Sequence, residues 1–243
     1  MRTPRYALIV PIILAALCAG CVVNGRQILL KEYGPSVPVA ADLPLQRITI
    51  SLGELTSAPD LVALELQAQP DEPNPFQYVA LTPDQKKLWN QDRQALQQKH
   101  AKSLPRIGNM RNVLGIVMSH VYALNDPSGW LLDSLRYDLR AQGATVVAAS
   151  SASSADVQLS GTIQLLRADM YFEIGSSLVV DMDLKTREGE SLHHRFFTHG
   201  SAAYSPFGPF ALDYFETFRI ARQKFSILLV REILQTSAPR YTQ

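Results

Sequence analysis

The clearest pattern in the chain is an alternation of apolar and polar residues in its second half. Residues 157–165 and 178–185 each carry an apolar side chain at every second position. Residues 192–201 follow after the turn sequence Arg187-Glu188-Gly189-Glu190. A period of two is typical of a strand with one buried face. We therefore predict three successive strands that form an antiparallel meander.

Hydrophobic spacings of three and four residues predict two helices. Leu131, Leu135 and Leu139 follow Asp126-Pro127, which offers an N-cap and a proline at the first helical position. Residues 210–235 contain neither proline nor glycine. They carry one apolar stripe, which consists of Ala211, Phe215, Phe218, Ala221, Phe225, Leu228 and Leu229. We expect helices at 127–142 and 210–235 to cover the sheet, because an amphipathic helix buries its apolar face against another element.

The front of the chain is less regular. Residues 21–44 favour a tether with a short strand at 27–33, residues 45–52 alternate as a strand does, and the prolines of residues 53–80 predict a long loop. The sequence Thr82-Pro83-Asp84-Gln85 then has the form of a capping box at the start of a polar helix. Such a helix buries little, so it is either a solvated surface helix or one that faces a partner through Trp89.

Together these patterns predict an α+β fold. We expect an antiparallel sheet of about four or five strands, covered on one face by the two helices and preceded by a proline-rich insertion and a polar helix. The corresponding division of the chain is a signal peptide at 1–20, the tether at 21–44, the strand, loop and polar helix at 45–103, and an α+β domain at 104–238.

Composition narrows the class of protein. The 243 residues are 47% hydrophobic and 19% charged, which is ordinary for a globular chain and excludes a collagen-like or largely disordered one. A formal net charge of +1 gives no overall attraction to nucleic acid. Two cysteines are too few for a disulfide scaffold.

The N-terminus has the form of a secretory signal. Arg2 and Arg5 precede the almost wholly apolar residues 6–19, and the small residues Ala19 and Gly20 follow. The apolar run of roughly 14 residues is shorter than the ~20 that a helix needs to span a bilayer. The sequence therefore predicts a segment that directs export.

The sequence Leu17-Cys18-Ala19-Gly20-Cys21 resembles the lipobox of bacterial lipoproteins. In that family the signal peptidase cleaves before a cysteine that carries diacylglycerol and acyl chains such as palmitate. The resemblance implies that Cys21 is the lipidated first residue of the mature chain. Because Val22 rather than Asp follows it, the same resemblance implies the outer membrane, with the protein facing the periplasm. A plain signal peptide or an uncleaved N-terminal anchor is the alternative.

A second resemblance covers residues 106–200. Its elements are an Arg-Asn pair at Arg111-Asn112, a helix that begins near Trp130, Gly143 before the next strand, and the run from Ala155 to Gly161. This arrangement is similar to the YajG-like bacterial lipoproteins and, more loosely, to the auxiliary lipoproteins of envelope ABC transport systems. The resemblance carries over no catalytic residue.

Candidates for chemistry are few. His193 and His199 share a predicted strand face but lie ~20 Å apart at ~3.3 Å per residue, too far to share one metal ion. Asp181 and Asp183 lie only ~7 Å apart, as glycosidase carboxylates can, but adjacent carboxylates on a strand usually mark its solvated side. None of the common nucleophile, phosphate-binding or zinc motifs is present. We therefore expect no enzyme activity, cofactor or metal.

The remaining candidates are aromatic. Trp89, Phe207 and Phe210 lie in the polar helix and in the sequence Tyr204-Ser205-Pro206-Phe207-Gly208-Pro209-Phe210, where they either pack internally or form a binding surface. The function that we predict is that of a non-catalytic envelope lipoprotein, an accessory in assembly or transport that binds protein or lipid. Its partners would be the membrane, through the lipid, and another envelope protein, but no nucleic acid. The alternative is a periplasmic protein that binds a small ligand or a peptide.

Overall fold

The computed structural model describes residues 25–36, 45, 48–74, 76–98, 104–111, 116–170, 173–202 and 210–237. The described strands are β1 (Arg26–Ile28), β2 (Thr49–Ser57), β3 (Arg106–Arg111), β4 (Val117–Ala123), β5 (Thr145–Ala148), β6 (Val157–Met170), β7 (Ile174–Thr186) and β8 (Ser191–Ala202). The helices are α1 (Pro83–Gln97), α2 (Pro127–Ala141) and α3 (Phe210–Ser237), and Ala149–Ser154 forms a 3₁₀ segment.

All eight strands belong to one sheet with β6 at its centre. On one edge of β6, β7 and β8 follow antiparallel and in sequence order, as the alternation predicted. Two strands share the other edge: β2 pairs with residues 157–163 and β3 with residues 168–170. β5 extends the first branch, and β4 and β1 extend the second. A seam therefore separates the end of β2 from the start of β3.

The prediction of an antiparallel sheet of four or five strands is wrong. The sheet has eight strands and is mixed, because the pairs β1–β4, β2–β5, β2–β6 and β3–β6 are all parallel. Alternation identifies the buried face of a strand but not its neighbour or its direction. Parallel pairs need long connections, and here the segments that hold α1 and α2 bring the chain back in the same direction.

The region assigned to a tether contributes to the core. Residues 26–28 form β1, and Ile28, Leu29 and Leu30 are each at most 1% exposed. The expected strand at 27–33 is thus shorter than predicted and begins one residue earlier. Residues 117–123 form β4, which pairs antiparallel with β3.

Capping residues determine where the first two helices begin. The Thr82 hydroxyl accepts a hydrogen bond from the Gln85 N–H, and the Gln85 side chain accepts one from the Thr82 N–H. Asp126 accepts from the Gly129 N–H at the start of α2. Gly143 follows α2 with a φ of 91°, a conformation that favours glycine. These capping residues are the ones that the sequence predicted.

α3 covers β7 and β8, and α2 lies beside it against β2. The predicted apolar stripe of α3 is fully buried at Phe215, Phe218 and Phe225. Gly200 permits this close approach of helix and sheet, because a Cβ at that position would lie 2.1 Å from the Thr217 carbonyl oxygen. The core thus lies between the sheet and these two helices.

The proline-rich segment wraps around the β8 edge of the sheet. Leu166 of β6 donates its N–H to the carbonyl of Leu61 in this segment, and ten residues after Leu61, Asp71 exchanges hydrogen bonds with the backbone of Phe197 on β8. The segment then follows α3, where Lys224 contacts a carboxylate oxygen of Glu72 at 2.6 Å. It therefore occupies a sheet edge that would otherwise expose unpaired backbone groups.

Candidate functional site

The structure describes only part of the predicted site. Cys21 and Phe207 lie outside the described residues, and Phe210 is described only as the first residue of α3. Trp89 is the one nominated residue whose surroundings are described.

Trp89 is a core residue and not an exposed binding residue. It is fully buried, its ring stacks on Phe215 with centroids 5.3 Å apart, and its indole N–H donates to the Leu29 carbonyl at 2.8 Å. The Arg93 guanidinium lies 5.7 Å from the ring centroid. The prediction of a partner-facing Trp89 is therefore wrong, because the segment after β1 and α3 enclose the one apolar face that the polar helix has.

The solvated face of the meander carries paired charges. Arg195 donates from Nε and Nη2 to the two carboxylate oxygens of Asp181, at 2.6 and 2.7 Å. This contact holds the pKa of Asp181 below its ordinary value. His193 Nδ1 lies 2.8 Å from a carboxylate oxygen of Asp183. The two carboxylates that could be considered for catalysis thus each have a partner on β8, which suits a solvated strand face.

A cluster of buried charges joins the segment after β1 to both core helices. Glu32 contacts Arg219 at 2.9 Å and Arg222 at 3.4 Å, and Arg222 also pairs with Asp138 of α2. All four side chains are at most 3% exposed. A carboxylate oxygen of Asp138 in turn accepts from the Ser36 N–H at 3.0 Å. We call Glu32, Asp138, Arg219 and Arg222 the buried charge cluster.

Two further groups border the buried charge cluster. Arg219 donates to the Tyr78 hydroxyl at 3.1 Å and to Glu216 at 3.2 Å. Burial raises the pKa of Glu216, although Arg219 opposes that shift. Lys86 of α1 lies 3.6 Å from the same carboxylate. The cluster therefore connects the segment after β1, the proline-rich segment and all three helices.

Our sequence reasoning missed this cluster. The signal was available in two places: Arg219 and Arg222 interrupt the apolar stripe of α3 at a spacing of three, and Asp138 directly precedes the buried Leu139 in α2. Charged residues on a helix face that is otherwise apolar are almost never buried without a partner. Such positions therefore predict complementary charges on a neighbouring element.

A cleft of about 600 Å³ lies at the seam between β2 and β3. Its lining includes Ala58, Leu61 and Leu104 with the polar groups of Arg106 and Asn125. Asn125 already exchanges hydrogen bonds with the Leu30 backbone, at 2.9 and 2.7 Å. Asp60 and Asp126 also line the cleft, which is therefore a candidate surface for binding that has both apolar and polar groups.

The described part of the chain exposes a consecutive apolar strip at the start of β4. Ile116, Val117 and Met118 are 57%, 38% and 40% exposed, and we call residues 116–118 the β4 strip. Neighbouring residues of a strand point to opposite faces, so the exposure of all three means that both faces are partly open to solvent here. This end of β4 therefore projects beyond the core.

The first described residue lies near this strip. A Cβ built on Gly25 would lie 2.5 Å from the Tyr122 ring and 3.0 Å from the His120 carbonyl oxygen. Gly25 also lines, with Val117 and Met118, a groove of about 250 Å³. The chain thus enters the fold beside the β4 strip.

None of the helices described is long and apolar enough to cross a membrane. Within those same parts of the chain, no three His, Cys, Asp or Glu side chains are grouped as a metal ion would require.

Comparisons with known proteins found similarity only to solved structures, and at low sequence identity. No protein-family model matches the sequence, and no curated protein is similar to it. Among solved structures, protein XCC0632 from Xanthomonas campestris, of family DUF330, is 14% identical with a TM-score of 0.49, over 84% of this chain and 95% of its own.

Two other solved structures are similar to a lower degree. An uncharacterized protein is 10% identical with a TM-score of 0.48, over 86% of this chain and 99% of its own. The hypothetical protein CT253 from Chlamydia trachomatis is 9% identical with a TM-score of 0.26, over 78% of this chain and 94% of its own. Similarities at this level assign no function to the chain.

Proposed function

We propose that the protein is a non-catalytic lipoprotein of the bacterial cell envelope, held in the outer membrane by acylated Cys21 and facing the periplasm. It acts as an accessory in assembly or transport by binding protein or lipid. The sequence before Cys21 supports the anchor, since a basic start, a short apolar run and a small pair precede a single cysteine.

One structural observation carries the proposal further. β1 begins at Arg26, five residues after Cys21, and is followed at once by buried residues. An extended chain spans at most ~3.6 Å per residue, so the anchor lies within about 18 Å of the core strand. A lipid at Cys21 would therefore hold the folded domain at the membrane surface and not at the end of a long tether.

The charged groups support an accessory role over catalysis. Asp181 and Asp183, the two carboxylates with a spacing suited to acid–base work, are engaged by Arg195 and His193 on the neighbouring strand. The side chains of the buried charge cluster are at most 3% exposed, so they have almost no contact with solvent. Both sets are suited to holding strands and helices in place.

Labelling with a radioactive fatty acid tests the anchor. We expect wild-type protein and Cys18→Ala to incorporate the label and to fractionate with membranes, because only Cys21 follows the small pair. Cys21→Ala is expected to lose both properties. Incorporation by Cys21→Ala, or its absence from wild type, contradicts the proposal. Crosslinking in intact envelopes then identifies the protein partner.

The seam cleft favours one alternative, a periplasmic protein that binds a small ligand or a peptide. Its volume of about 600 Å³ lies within the range of small-molecule sites, roughly 300–1,000 Å³. Native mass spectrometry of protein purified from envelopes separates the two functions. A bound mass that disappears in Ala58→Trp, which fills the cleft, would favour the alternative.

A further inference from the structure

We infer that the β4 strip docks on the bilayer that holds the lipidated Cys21, with its side chains at the boundary between headgroups and acyl chains. This inference rests on the proposed lipid anchor and adds to it a specific contact surface. It begins from the location of the strip, since exposed apolar residues in a row mark an interaction site more often than scattered ones do.

The start of β1 lies at the same end of the sheet as the start of β4. β1 is parallel to β4, with Arg26 opposite Val121. Cys21 lies five positions before Arg26 in the sequence, so the proposed anchor is attached close to this end of the sheet.

The reach of the chain limits how far apart the two can be. Four residues separate Cys21 from Gly25, which corresponds to at most about 14 Å. Gly25 itself lies against Tyr122 and the His120 carbonyl. A strand rises ~3.3 Å per residue, so Met118, the residue of the β4 strip nearest to His120, lies ~7 Å from it. A membrane that holds Cys21 must therefore lie close to the strip.

The same end of the sheet is defined by one row of paired residues. Ser119 pairs with Met110, Met110 with Met170, Met170 with Ile174, and Ile174 with Ala202. The β4 strip precedes this row in the chain and so extends beyond it. Among the described residues, a bilayer lying across this end of the sheet would therefore reach the strip before it reaches Ser119 and the residues of that row.

The chemistry of the strip suits a lipid surface. Its side chains are apolar and 38–57% exposed, on both faces of the strand, so they can enter a bilayer without unfolding the sheet. Arg111 lies directly across the hairpin from Val117, but it already pairs with Asp169 at 3.6 Å. The apolar side chains of the strip therefore make the contact with the acyl boundary.

The test uses the complete lipidated protein in vesicles of phosphatidylcholine and phosphatidylglycerol. The mature chain contains no cysteine apart from Cys21, so Met118→Cys provides one free thiol for an environment-sensitive fluorophore. Tyr137→Cys is the matched control, because Tyr137 is 44% exposed and apolar but lies on α2. Equal melting midpoints of both labelled proteins and wild type establish that the fold is intact.

Phosphatidylcholine brominated near the glycerol end of its acyl chains quenches a fluorophore that enters the interface. Since interfacial segments lie about 5–10 Å into the headgroup and acyl boundary, the label at 118 is expected to lose roughly half of its emission. The label at 137 should lose almost none. Iodide in the aqueous phase should quench the two labels in the opposite order.

Three results would overturn the inference. Quenching of label 118 by iodide but not by brominated lipid means that the strip faces water. Protection of label 118 from both quenchers means that protein, such as residues 22–24 or a second copy, covers it. Failure of unlabelled wild-type protein to float with vesicles overturns the lipid anchor as well, so flotation tells the failure of the proposed function from the failure of the docking inference alone.

Discussion

Charged residues of the same kinds lie on the two sides of the central sheet in opposite environments. On the helix-covered side, Glu32 and Arg222 are buried with their partners at most 3% exposed. On the solvated side, the side chains of Arg195 and His193 are 57% and 60% exposed. An exposed ion pair contributes about 0–1 kcal/mol, whereas loss of one partner from a buried pair costs about 3–5 kcal/mol.

The buried pairs and the exposed pairs hold different parts of the molecule together. The buried charge cluster connects residues just after β1 to α2 and α3, so the segment nearest the predicted anchor is fixed to the core by charged contacts. The pairs on the solvated face join only neighbouring strands that backbone hydrogen bonds already hold. A lipid at Cys21 would thus restrain the whole domain and not a loose terminus.

The largest effect is expected for Arg222→Met, which leaves Glu32 and Asp138 buried with one cation removed. We expect the free energy of unfolding to fall by about 3–5 kcal/mol in a urea titration. Arg195→Met is the control on the other face and should cost at most about 1 kcal/mol. Equal losses for the two variants would mean that burial does not distinguish the two faces.

Trp89→Ala is expected to cost about 3–5 kcal/mol, because it removes a large buried ring together with its stacking on Phe215. The adjacent Leu88 is 48% exposed, and Leu88→Ala should change stability by no more than about 0.5 kcal/mol. Thermal melts of both variants measure the difference. A Trp89→Ala protein as stable as wild type would return Trp89 to the list of exposed binding residues.

The elements that the sequence predicted best are those specified by local signals. The caps at Thr82 and Asp126 determine where helices begin, and the alternation in β6 to β8 requires only that one face be buried. The pairing of β2 and β3 with one edge of β6 depends on contacts between residues over fifty positions apart. No periodicity within a strand encodes those contacts.

The candidate site was harder to predict for a similar reason. Trp89 in a polar helix reads as an exposed aromatic, since the sequence does not reveal that α3 places Phe215 against it. Arg222 reads as a solvated helix residue until Asp138 and Glu32 are brought to it from distant positions. The exposure of the β4 strip is likewise not encoded locally, because it depends on where the covering elements end.

A smaller effect is expected from pH. Burial lowers the pKa of His199 below its ordinary value of 6.5, and Lys224 adds to the shift. Between the lowered pKa and 6.5, the unfolded chain binds more protons than the folded chain. The free energy of unfolding therefore falls as the pH falls through this range. Urea titrations of wild type and His199→Gln at neutral pH and about pH 5 measure it, and the variant should lose less stability.

If both proteins lose the same stability over this range, His199 does not couple to folding. Glu216 contributes with the opposite sign, because burial raises its pKa and protonation at low pH relieves that cost. The comparison of two proteins that share Glu216 cancels its contribution. The difference between wild type and His199→Gln therefore reports on His199.

The smallest effects belong to the solvated face. His193→Ala and Asp183→Asn each remove one member of a pair that is at least 60% exposed. We expect both variants to unfold within about 0.5 kcal/mol of wild type. A loss comparable to that of Arg222→Met would show that another part of the protein covers this face, against its description as the solvated side.

The most direct measurement of the account is the mass of the N-terminal peptide of protein extracted from membranes. We expect that peptide to begin at Cys21 and to carry the added mass of a diacylglyceryl group. This result would place the acyl chains five residues before β1 and beside the β4 strip. A peptide that begins elsewhere, or an unmodified Cys21, would contradict the lipid anchor and with it the orientation proposed for the domain.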